Sequence, residues 1–147
     1  MPCNSLHIFI NEIRKSVKIP VLSVVEETAK FLKNKKVSKV GVLATSTSLN
    51  SGMYEKILNK YKIKQIIPDG FDQAKIGKML KNIVLNRHDN KDRKNMMKII
   101  DKFEKKGVKV VILACTDLQL LIPHHPKLEI YDTMKILADA TIDKILK

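Results

Sequence analysis

Two cysteines are the most reactive side chains in this sequence, and each is followed by groups that can bind an oxyanion. In "MPCNSLH", Cys3 stands just before a segment of helical period and is followed by Asn4 and Ser5. In "VILACTDLQLL", Cys115 closes an apolar run just before a short helical turn and is followed by Thr116 and Asp117. A thiol at a helix N-terminus feels the positive end of the helix dipole, which favours the thiolate. A third segment, "ATSTSLNSG" (44–52), carries Thr45, Ser46, Thr47, Ser48, Asn50 and Ser51. Hydroxyls and backbone N–H groups at a strand-to-helix turn form a cradle for a carboxylate or phosphate. Each feature also has a plain structural reading. A buried cysteine is a small hydrophobe, and a Ser/Thr-rich turn is a cap. Their occurrence together is what makes a candidate site.

The surrounding pattern alternates short apolar runs with segments of helical period. "VGVLAT" (40–45), "IKQIIP" (63–68), "VKVVILAC" (108–115) and "LEIYD" (128–132) read as strands, too short and too continuously apolar for helices. "IPVLSVV" (19–25) reads as a further strand. Helices are expected over "NSLHIFINEIRKSV", starting just after Cys3, and over "EETAKFLKNK". Another, capped by Ser51, carries Met53, Tyr54, Ile57, Leu58 and Tyr61 on its apolar positions. "FDQAKIGKMLKNIVLN" follows, with Ile76, Met79, Leu80 and Ile83 on one face. "RKNMMKIIDKFEKKG" ends at Gly107, and "TMKILADATIDKIL" closes the chain. Strands alternating with helices predict an α/β fold, a parallel sheet with helices on both faces. In such sheets ligands bind outside the carboxyl ends of the strands, where Thr45 and Cys115 fall.

At 147 residues the chain can bury a core and reads as one compact domain. Aromatics make up 5% and Trp is absent, so the core is built of Ile, Leu and Val. No apolar run approaches a membrane span, and residues 1–20 do not read as a signal peptide. Two distant cysteines make neither a disulfide framework nor a zinc motif, which points to free thiols and a cytoplasmic setting. The net charge of +13 raises nucleic-acid binding as a possibility. "KFLKNKKVSK" (30–39) has five lysines and no acid, but "RHDNKDRKNMMKIIDKFEKK" (87–106) interleaves both signs as a solvated helix face does. Without an RNP-type aromatic pattern, a zinc-finger spacing or a basic tail, nucleic acid is not the expected partner.

Four segments, in order, resemble the aspartate/glutamate racemase superfamily: "PCNSLH" (2–7), "VGVLATSTSLNSGMYEKIL" (40–58), "VVILACTDLQLLIP" (110–123) and "IYDTMKILADA" (130–140). "IPVLSVVEET" and "IIPDGFDQAKI" fit the same pattern. The resemblance is strong at both cysteine motifs and weak over 84–95. Glutamate racemases usually follow the second cysteine with Thr-His and an aromatic. Thr116 and Asp117 here resemble the aspartate racemase branch instead.

That resemblance implies a cofactor-independent amino-acid racemase for aspartate or glutamate. Cys3 and Cys115 would be its catalytic pair, flanking the α-carbon from opposite faces. One, as thiolate, removes the α-proton, and the other, as thiol, delivers a proton to the opposite side. Asn4, Ser5, Thr45, Thr47, Thr116 and Asp117 match family positions that hold the substrate's carboxylate and ammonium, with Ser5 for the usual Thr and Asp117 for the usual Glu. His7 matches a family histidine that reads equally well as a packing residue. Arg87 and Lys91 lie where the family can present a cation to a side-chain carboxylate. No cofactor and no metal are implied, and a homodimer is the implied assembly.

Family members are roughly half again as long and have two similar α/β lobes around the active-site cleft. By that comparison residues 1–37 are the C-terminal part of the first lobe, without its leading strands. Residues 38–130 are a complete second lobe, and 131–147 are a helix returning to the first. Apolar surface should then be exposed, and the start "MPC" resembles the middle of a longer sequence. Two other readings stay open: a non-catalytic remnant that keeps the carboxylate cradle, and a basic nucleic-acid-binding protein.

Overall fold

A computed structural model describes residues 1–122 and 124–146. Pro123, the last residue of the third family-like segment, and Lys147, the last of the C-terminal stretch, lie outside the described residues. A 3-10 turn (Ser5–Phe9) runs into α1 (Ile10–Ser16). There follow α2 (Val24–Asn34), β1 (Lys39–Ala44), α3 (Ser46–Asn50), α4 (Met53–Lys60) and β2 (Lys64–Ile66). Then come α5 (Gly70–Val84), α6 (Asn90–Lys105) and β3 (Val110–Ala114). A second 3-10 turn (Leu118–Leu120), β4 (Glu129–Asp132) and α7 (Thr133–Ile145) complete the chain.

All described strand pairs are parallel, in the order β2-β1-β3-β4. This is the expected α/β architecture. The central strands β1 and β3 are apolar along their length because both faces are covered. Val40, Val42 and Ala44 of β1, with Val110, Ile112 and Ala114 of β3, pack on α2, α4 and α7 through Val24, Val25, Leu32, Tyr54, Leu58 and Leu137. Leu43, Val111 and Leu113 face the other way, onto Ile76, Met79, Ile99, Ile100 and Phe103 of α5 and α6. Alternate residues therefore serve two cores, as the period of a strand requires. Gly41 lets α6 approach closely, since a Cβ there would stand 3.1 Å from a Phe103 ring carbon and from Val111.

Caps decide where several helices begin. Asp69 accepts the Asp72 N–H, Asp89 those of Lys91 and Asp92, and Asp132 that of Met134. Gly107 takes φ 70° after α6, the left-handed conformation predicted for a residue ending that helix.

Several sequence expectations are corrected. "IPVLSVV" is not a strand: Pro20 lacks an N–H, and Ser23 accepts the Glu26 N–H at 3.4 Å to start α2 at Val24. Ser-Val-Val-Glu is a capping-box spacing, and Val24 and Val25 serve the helix's buried face instead. The segment after Cys3 is no continuous α-helix, because its 3-10 turn changes to α1 at Phe9, with φ −100° and ψ 21°. The hydroxyl-rich stretch after β1 is itself helical over Ser46–Asn50. Thr45 caps α3 by accepting the Ser48 N–H, and α4 begins after Gly52 at φ 67° rather than under a Ser51 cap. β2 also ends at Ile66, before Pro68.

Residues 1–37 and 131–147, expected to belong to another lobe, supply α2 and α7 to the core on one sheet face. Their outer sides remain apolar: Ile19 is 72% exposed, Ile145 76% and Leu146 80%. Among the described residues no helix is long and apolar enough to cross a membrane.

Candidate active site

The strand order places a crevice before any side chain is considered. From β1 the chain crosses to β2 on one side, and β3 then lies on the other side of β1. Connections diverge between the carboxyl ends of β1 and β3, and open α/β sheets bind ligands at such a switch point. Ala44 and Ala114 are register partners, so Thr45 and Cys115 each stand one residue beyond the same rung. Leu113 pairs with Asp132, which brings Thr133 to this end too.

Hydrogen bonds carry the N-terminal segment to the same place. Ser5 Oγ lies 3.3 Å from Thr45 Oγ1 and 3.0 Å from Ser48 Oγ. Thr45 Oγ1 lies 3.0 Å from Ser48 Oγ, which closes a three-hydroxyl cluster. Asn4 is buried, and its Nδ2 donates to Thr133 Oγ1 at 3.1 Å while its Oδ1 accepts from the Tyr54 hydroxyl. His7 Nδ1 meets the Cys3 carbonyl at 2.9 Å, and His7 Nε2 accepts the Val24 N–H at 3.1 Å. His7 therefore has the packing role, holding the Cys3 backbone against the start of α2.

Both cysteines are free and half-buried. Burial pushes the Cys115 thiol up, and the charges of Asp117 and Cys3 push it the same way. Backbone N–H groups of Asp117 and Leu118 pull it down by less. The expectation that a helix N-terminus favours the Cys115 thiolate is thus corrected. The following helix is a single 3-10 turn with little dipole to offer, and desolvation dominates. Asn4 and Ser5, the two residues after Cys3, are hydrogen-bonded to Thr133, Thr45 and Ser48 at the end of the sheet where Cys115 stands.

The remaining candidates divide. Thr116 and Asp117 are half-buried beside Cys115, and Thr47 is exposed on α3. Among the described residues no hydrogen bond engages those three side chains. Arg87 is exposed in the α5–α6 loop, and Lys91 lines the groove between α5 and α6 with Lys75, Asn82 and Asp92. Arg93, not singled out from the sequence, donates to the Leu120 carbonyl at 3.3 Å, beside the turn after Cys115. Among the described residues no group of three His, Cys, Asp or Glu could hold a metal ion.

Sequence reasoning also missed Tyr54, Thr133 and Gln73. Tyr54 sat at an apolar position of a helical repeat, which hides its hydroxyl. Gln73 Nε2 donates to the Ala44 carbonyl at 3.0 Å and steadies the end of β1. Thr133 carried one local signal, its place beside the Asp132 cap.

The match to the family model for Asp/Glu/hydantoin racemases extends over residues 1–141. The chain belongs to the Asp/Glu/hydantoin racemase family. It is 27% identical over 147 residues to the broad specificity amino-acid racemase RacX of Bacillus subtilis, spanning 99% of this chain and 63% of that protein. It is 23% identical over 140 residues to an uncharacterized protein encoded 3′ of pnlA in Pectobacterium carotovorum, covering 95% of this chain and 89% of that one. The aspartate racemase of Picrophilus torridus superposes with a TM-score of 0.84 at 27% identity, over 98% of this chain and 60% of that one. An aspartate racemase homologue from Pyrococcus horikoshii shares the fold, with a TM-score of 0.84 at 22% identity over 99% of this chain and 65% of its own. The family resemblance read from the cysteine motifs is therefore correct.

Proposed function

We propose that this chain carries the chemistry of a cofactor-independent amino-acid racemase, an isomerase acting on aspartate or glutamate. The observation that supports this most is the tie of the Cys3–Asn4–Ser5 segment to Thr45, Ser48 and Thr133 at the carboxyl end of the sheet, the end at which Cys115 stands. The names of its relatives, an aspartate racemase and a broad specificity amino-acid racemase, support the same class.

The α-proton of an amino acid is a very weak acid, so negative charge must be stabilised as it develops. In this reading one cysteine thiolate takes the α-proton, and its electron pair spreads into the carboxylate. The other thiol then gives its proton to the opposite face of the α-carbon. The amino acid leaves inverted, and the two cysteines have exchanged protonation states. Cys115, whose thiol is held protonated by burial, fits the acid of this pair. Ser5, Thr45, Thr47 and Thr116, with the second N–H of Asn4, supply donors for the carboxylate, and Asp117 receives the ammonium. On the same reading the protein works in the cytoplasm as a homodimer. Residues 38–130 form one lobe of the cleft, and 1–37 and 131–147, whose α2 and α7 pack on its sheet, lead into the other.

The test is racemisation of L-aspartate and L-glutamate in deuterated water. The native chain should incorporate deuterium at the α-carbon and form the D-isomer, and Cys3→Ser and Cys115→Ser should each abolish the D-isomer. Undiminished turnover by either variant overturns the two-cysteine reading. Binding of aspartate without any exchange assigns the chain to carboxylate binding instead.

A further inference from the structure

A chain of buried hydrogen bonds at the carboxyl end of the sheet has its direction set by one backbone carbonyl. The carbonyl of Leu113, two residues before Cys115, can only accept, so the Thr133 hydroxyl donates to it at 2.8 Å. With its proton committed, Thr133 Oγ1 accepts, and Asn4 Nδ2 donates to it at 3.1 Å. This orients the Asn4 amide and leaves its Oδ1 to accept from the Tyr54 hydroxyl. Asn4, Thr133 and Tyr54 are all buried, so water does not compete for these groups. Burial also raises the Tyr54 phenol above its ordinary pKa, which keeps it a donor.

The chain links the mounts of the two cysteines. Asn4 directly follows Cys3, and Leu113 lies on the strand that ends at Cys115. Ser5 and His7 tie the same N-terminal segment to Thr45 and to α2, whereas the tie to β3 runs through Thr133. We propose that Tyr54 and Thr133 are positioning residues that lock the Asn4 amide and thereby hold Cys3 in register with Cys115. The proposal rests on reading the two cysteines as an acid/base pair. A misplacement of about 1 Å at reacting groups costs on the order of 10²-fold in rate. The network also fixes which N–H of Asn4 stays free for a substrate carboxylate.

The decisive experiment reads the cysteine geometry without any substrate. The full chain is compared with Tyr54→Phe, Thr133→Val and Thr133→Ser. Each is treated with dibromobimane, which fluoresces once both arms have alkylated a thiol. Alkylation of each cysteine singly by iodoacetamide is followed by peptide mass spectrometry. Crosslinking should slow at least tenfold in Tyr54→Phe and Thr133→Val and stay within twofold of native in Thr133→Ser, which retains the hydroxyl. Single-site alkylation should stay within twofold throughout. Crosslinking within twofold of native in both disruptive variants overturns the proposal, and so does a native chain that does not crosslink. Should Tyr54→Phe fail to fold, the Thr133 pair decides.

Racemisation by the same proteins separates this proposal from the functional reading. The expected crosslinking pattern in a chain without racemase activity removes the function and leaves the positioning relation. Racemisation with uniform crosslinking does the reverse.

Discussion

His7 Nε2 accepts the backbone N–H of Val24 at 3.1 Å, which fixes the ring as the neutral tautomer with its proton on Nδ1, facing the Cys3 carbonyl. Burial lowers the His7 pKa below its ordinary value, ahead of the backbone contacts that raise it. The folded pKa is below the unfolded one of about 6.5, so the neutral ring's contribution is complete above the unfolded value and is lost as pH falls through the lower folded one. Urea melts at pH 7.5 and 5.5 should show native stability falling on acidification. His7→Gln, which does not titrate, should show a smaller fall. Equal falls in the two proteins would remove His7 from the acid response.

Cys115 should alkylate slowly at neutral pH and accelerate only above the ordinary thiol range, because burial and the Asp117 carboxylate both disfavour its thiolate. Asp117→Asn removes that negative charge and leaves the backbone unchanged. Its alkylation profile, followed by peptide mass spectrometry, should move to lower pH. A profile moved to higher pH would contradict the assignment of Asp117 as a destabilising neighbour.

The Ser5–Thr45–Ser48 cluster joins the N-terminal segment to the end of β1. Ser5→Ala removes one hydroxyl and leaves its neighbours each other. The expected loss is roughly 0.5–1.5 kcal/mol of stability, the net worth of such a bond. If the cluster also holds a carboxylate, KM for aspartate should rise several-fold with kcat less affected. An unchanged KM would leave Ser5 a structural residue.

Gly41→Ala should destabilise the fold through the core alone. The new methyl would stand 3.1 Å from Phe103 and from Val111, in a region buried on every side. Overpacking of this kind costs about 1–3 kcal/mol. Urea denaturation should show a lower midpoint, and Phe103→Leu in the same chain should recover part of it. Native stability for Gly41→Ala would show that α6 stands farther from the sheet.

Much of the architecture was legible in local pattern. "VGVLA" and "VVILA" read as central strands because they are apolar at consecutive positions, which parallel strands covered on both faces require. The helices after Asp69 and Asp89 are marked by their apolar spacing, while the two caps themselves show only in the folded backbone. "IPVLSVV" misled because two valines before "EETAKFL" read as strand continuation. Ser23, three residues ahead of Glu26, was the competing signal, and the cap prevailed. The stretch after β1 misled in the opposite sense: Thr45 could cap as well as bind, and it does cap.

The sequence by itself determined the alternating α/β pattern, the family, and which side chains could act as acid, base or donor. These follow from residue type and short-range spacing, which exist before any tertiary contact forms. Only the tertiary structure decided that Tyr54 and Thr133 meet Asn4, that His7 secures Cys3, and that Cys115 is held as a thiol. Each of these depends on burial and on pairs far apart in the chain, such as Asn4 and Thr133. Desolvation and hydrogen-bond direction are properties of that assembled environment, and no stretch of sequence carries them alone.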